Sequence, residues 1–152
     1  MSYRRTQRTA GPIEGAVQGA IVYLGLSLGI VLTATLSLFL VDNSFVGAAS
    51  NNELFFAVQF GFDQLPIVAP LLAFGLAVFY VASDRGDPAS VTAAAGAAAG
   101  TIVSGLLLLV LVLVLAPSGV DVSIGDEFLV LLSSAIGSVV TAGITGIGFD
   151  LV

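Results

Sequence analysis

"TAAAGAAAGTIVSG", Thr92–Gly105, decides the fold. Gly, Ala, Ser or Thr fills every position except Ile102 and Val103, and the stretch runs directly into "LLLLVLVLVL", Leu106–Leu115. A flexible linker would be Gly/Ser-rich and solvated. This stretch is Ala-rich, uncharged and continuous with a Leu/Val run, and Ala is the best helix former. Asp87-Pro88 suits a helix start, with the acid near the N-terminus and Pro in the first turn. The whole reads as one membrane-spanning helix with a small-residue half and a bulky half. Its four-residue spacing, Thr92-Gly96-Gly100-Ser104, lines small side chains along one side. Lipid tails are as apolar as Leu, so helices in a bilayer associate through close packing, which small residues permit.

Three more charge-free stretches are long enough to cross about 30 Å of hydrocarbon at roughly 1.5 Å per residue. They are Gly15–Val41, Gln64–Ser83 and Phe128–Phe149, beside Pro88–Val120, which ends as a helix near Ala116 because "APSGVDVSIGDE" reads as a turn-rich loop. Pro66 suits a first helical turn, whereas Pro70 lies deeper and should kink or loosen that end of span two. "LFFAVQFGF", Leu54–Phe62, is too short to span and predicts a short helix lying at the membrane interface before span two. The expected architecture is therefore all-α: a four-transmembrane-helix bundle forming one domain over residues 13–150, after an Arg-bearing segment 1–12. "GAIVYLGL" (Gly19–Leu26) resembles "GTIVSGLL" (Gly100–Leu107), which admits two parallel helical hairpins related by duplication.

Composition agrees. Of 152 residues, 57% are hydrophobic and 9% charged, with mean hydropathy +1.10; a soluble domain carries about 25% charged residues. Cys and His are absent, which removes disulfides, thiolate sites and the usual near-neutral base. The basic residues are Arg4, Arg5, Arg8 and Arg85 against ten acids, giving net charge −6 and no basic stripe for nucleic acid. All four Arg fall on one side of a four-span chain, and the positive-inside rule makes that side cytoplasmic. Asp42, Glu53, Asp63, Asp121, Asp126 and Glu127 then face outward, and both termini lie inside. "RRTQRT" before an apolar run also resembles a twin-arginine export signal, with Val46–Ala48 as a cleavage site. Thr6 and Gln7 are polar where that signal needs apolar residues, and the apolar run is too long, so an Arg-anchored first span is the better reading.

The small-residue bias recurs in span one (Gly15, Gly19, Gly25, Gly29) and in span four (Gly137, Thr141 and their neighbours). These residues, with Gly96, Gly100 and Ser104, are the expected helix-packing set. The polar residues near the cytoplasmic ends, Glu14, Gln18 and Thr145, are the candidates for lining a pocket there. A continuous polar cavity reaching Gln18, Thr141 and Thr145 would favour transport; interlocked backbones favour a scaffold.

No catalytic pattern holds together. "GIGFD" (Gly146–Asp150) is similar to the GxGD motif of intramembrane aspartyl proteases, but Phe149 intrudes and no mid-membrane partner Asp exists. "VSG" (Val103–Gly105) matches part of the rhomboid protease GxSG, but Ile102 replaces the first Gly and no His base is present. Four spans and an early carboxylate resemble the small multidrug-resistance transporters in topology only, since Glu14 stands at the membrane edge. "PIEGAVQGAIVYLGLSLGIVLT" (Pro12–Thr33) resembles uncharacterised multi-pass membrane proteins of haloarchaea, as do Asp exceeding Glu and the lack of Lys. That resemblance covers mainly span one and implies class and habitat, not an activity. The expected protein is non-enzymatic and needs no cofactor or metal. It is a structural or accessory subunit in the cytoplasmic membrane, with lipid around it and itself or another membrane protein as partner. The alternative is a small-solute or ion transporter or channel subunit.

Overall fold

The computed structural model describes residues 11–41, 51–83 and 89–150. The four Arg, the Val46–Ala48 stretch and the Asp87-Pro88 helix start lie outside the described residues. Five helices follow in chain order: α1 (Pro12–Val41), α2 (Asn51–Asp63), α3 (Leu65–Ala82), α4 (Ala89–Leu115) and α5 (Ile124–Asp150). Among the described residues every regular element is a helix, so the protein is an all-α bundle. α1, α3, α4 and α5 are each long and apolar enough to cross a membrane; the 18 residues of α3 reach about 27 Å at roughly 1.5 Å per residue. The chain is a multi-pass membrane protein.

Helix ends follow local chemistry. α5 begins one turn before the expected Phe128, because the Ser123 hydroxyl accepts from the Asp126 backbone N–H at 3.4 Å. Asp126 and Glu127 then occupy the first turn, where the helix dipole favours negative charge. Reading the acids as loop residues missed that cap. At the other end of the bundle, Ser83 terminates α3 by folding its hydroxyl onto the Phe79 carbonyl at 2.6 Å. α3 stays helical through Pro70, and a Cβ placed on Gly137 of α5 would lie 3.6 Å from the Pro70 ring. The proline is thus packed against a glycine of the neighbouring helix.

α4 is the hub, packing against α1, α2, α3 and α5. Two adjacent rows on it are buried. Thr92, Gly96, Gly100, Ser104, Leu108 and Val112 form one, and Ala93, Ala97, Thr101, Gly105 and Leu109 the other. A four-residue step returns nearly to the same side of a helix, so each row is one continuous strip. α3 and α5 pack on each other and on α4, whereas α1 packs chiefly on α4 and meets α3 only slightly.

α2 is present where the short helix was expected, with Gln64 alone separating it from α3. Its spacing sorts its aromatic residues. Phe55, Val58 and Phe62 are buried with Leu65, Leu108, Leu109, Val112 and Leu131, while Phe56 and Phe60 face outward. α2 therefore covers the far ends of α1 and α4 with one apolar face. The Gln59 amide reinforces this by donating to Asp63 at 3.0 Å and to Glu127 of α5 at 3.1 Å.

Candidate functional site

The small residues converge on the contact between α1 and α4. These helices run parallel, Gly15 lying against Thr92, Gly19 against Gly96, and Tyr23 against Gly100. A Cβ on Gly19 would collide with the Gly96 backbone, and one on Gly15 with the Thr92 backbone. A Cβ on Gly96 would lie 2.8 Å from the Gly15 carbonyl oxygen. These are backbone-to-backbone contacts, and only residues without a side chain admit them. At Gly100 the missing side chain makes room for a ring instead: its Cβ would sit 2.5 Å from Tyr23 Cδ2 and 2.8 Å from the Gly19 carbonyl oxygen. Ser104 ends the small row, fully buried, its hydroxyl bonded to the Gly100 carbonyl at 2.8 Å.

Gly25 and Gly29 do not join this seam. Both face away from α4, and a Cβ on either would meet nothing within 4 Å. The physical reason is the helical period. Gly15 and Gly19 are continued on the same strip by Tyr23 and Ser27, both buried, whereas Gly25 and Gly29 lie two positions further round, roughly 200° away at about 100° per residue. Tyr23 was the member of the seam that a search for small residues passes over, although its four-residue spacing from Gly19 marks it.

Tyr23 also ties α1 to the rest of the bundle. It is 1% exposed, and its hydroxyl donates to the Ala69 carbonyl of α3 at 2.7 Å. That hydroxyl lies beside those of Thr101 and Ser138, and Thr101 donates to Ser138 at 3.1 Å across α4 and α5. Ser138 in turn donates to the Ser134 carbonyl at 2.7 Å. All these groups are buried, and among the described residues no buried side-chain nitrogen or oxygen lacks a partner. Polar groups removed from water without partners are costly, so this satisfied cluster is what lets hydroxyls sit at the centre of the bundle.

On α5, Gly146 lies against the backbone of Ser90 near the start of α4, and Gly137 takes the Pro70 ring. Thr141 is half-buried beside Ala142, which is fully buried. Gly143 and Gly148 have open space at Cβ.

Of the three pocket candidates, the structure joins two. The Gln18 amide donates to Glu14 at 3.1 Å on its own helix, and its carbonyl accepts from the Tyr80 hydroxyl of α3 at 2.7 Å. Above that bond lies an open groove of about 340 Å³ between α1 and α3, lined by Gln18, Ile21, Val22, Leu76 and Phe79. Its walls are apolar apart from Gln18, and neither Glu14 nor Thr145 lines it. Thr145 sits half-buried on α5. Gln18, Thr141 and Thr145 therefore do not share this groove. Among the described residues no three His, Cys, Asp or Glu side chains group as metal ligands would.

Comparison with known protein families, with curated proteins and with solved structures yields no match.

Proposed function

We propose that the chain is a packed structural or accessory subunit of a membrane assembly, non-enzymatic, in the cytoplasmic membrane with both termini inside. The observation that carries this reading is the interlock of α1 with α4 at Gly15, Gly19, Gly96 and Gly100. It closes the contact between α1 and α4 with backbone, from Gly15 to Gly100. The hydroxyls nearby are bonded to one another and to carbonyls. The groove beside Gln18 opens laterally and offers chiefly hydrocarbon, which suits contact with lipid or with another helix better than passage of a polar solute. The orientation rests on Arg4, Arg5, Arg8 and Arg85 sharing one side.

Isolation from native membranes in mild detergent tests this directly. A stoichiometric membrane-protein partner, or a defined homo-oligomer, is the expected result. A solute or ion flux in reconstituted vesicles that disappears with Glu14→Gln would overturn the proposal in favour of a transporter.

A further inference from the structure

We draw no further inference here: the strongest candidate, the open apolar groove between α1 and α3 beside the Gln18–Tyr80 hydrogen bond, carries no proposal because nothing in the structure shows what covers it.

Discussion

Adding one methyl group at two glycines of the same helix should have opposite consequences. Gly19 and Gly25 both lie inside α1, and replacing either by Ala brings the same gain in helix propensity, about 1 kcal/mol in an aqueous helix interior. That gain cancels when the two variants are compared. At Gly25 the new Cβ meets nothing within 4 Å, whereas at Gly19 it collides with the Gly96 carbonyl. The obstacle at Gly19 is backbone on both sides, so no side chain can rotate away and the two helices must separate. Overpacking of this kind typically costs about 1–3 kcal/mol. The Gly19→Ala protein should therefore be less stable than the Gly25→Ala protein by about 1–3 kcal/mol, roughly 5- to 150-fold in the folded-to-unfolded ratio. Thermal unfolding of the parent and both variants in the same detergent reads the order: Gly25→Ala at or above the parent, Gly19→Ala below it. If the two variants melt together, the α1–α4 seam is looser than a Gly19–Gly96 backbone contact requires, and α1 and α4 are not interlocked.

Tyr23→Phe keeps the ring over Gly100 and removes the hydroxyl that bonds the Ala69 carbonyl and lies beside those of Thr101 and Ser138, so it should cost about 0.5–1.5 kcal/mol or more in the same melt; no loss would mean that this hydroxyl contributes nothing. Gln18→Leu should lower stability by a similar amount through loss of its bonds to Tyr80 and Glu14, while Glu14→Gln should leave stability within about 1 kcal/mol of the parent because an amide oxygen can still accept from Gln18. For topology, single cysteines at Ser83 and Ser123 of this Cys-free chain should react differently with an impermeant thiol reagent. Ser123→Cys should label in intact cells and Ser83→Cys only after lysis; labelling of Ser83→Cys from outside would reverse the orientation.

Spans are legible in a sequence when the property that makes them is additive along the chain. Apolarity over Thr92–Leu115 is such a property, and α4 lies where it was expected, as do α1 and α3 to within a few residues. Ends are less legible because they depend on single hydrogen bonds, as at Ser123, where a cap carries the helix through residues that read as loop. Which face of a helix meets which neighbour is less legible still. Four glycines in α1 look equivalent as composition, yet the helical period separates Gly15 and Gly19 from Gly25 and Gly29. Tracing every fourth residue from Gly15 would have drawn that line in advance and would have placed Tyr23 on the seam. The link from Tyr23 to Ala69, and from Gln18 to Tyr80, lay beyond such tracing. Each joins residues more than forty positions apart, and no local pattern encodes which of two antiparallel helices will stand opposite.

The uneven grip on α1 follows from the same geometry. Backbone contact without side chains brings two helices close, and such a seam relies on dispersion between the closely apposed backbones and on hydrogen bonds at its margins. α1 meets α4 through just such a seam, and its meeting with α3 is slight apart from the two tyrosine hydroxyls. Beyond Tyr23, α2 also packs on α1, setting Gly61 against Val31, where an added Cβ would stand 3.3 Å from the valine methyl. α1 is thus held at one end by glycines, in the middle by Tyr23 and at the other end by α2. Its remaining surface, including Ile21, Leu28, Leu32 and Leu36, stays outward. Water would not tolerate a helix so sparsely covered. A bilayer does, because hydrocarbon solvates those side chains as well as a protein core would, and the fold of this chain presupposes that solvent.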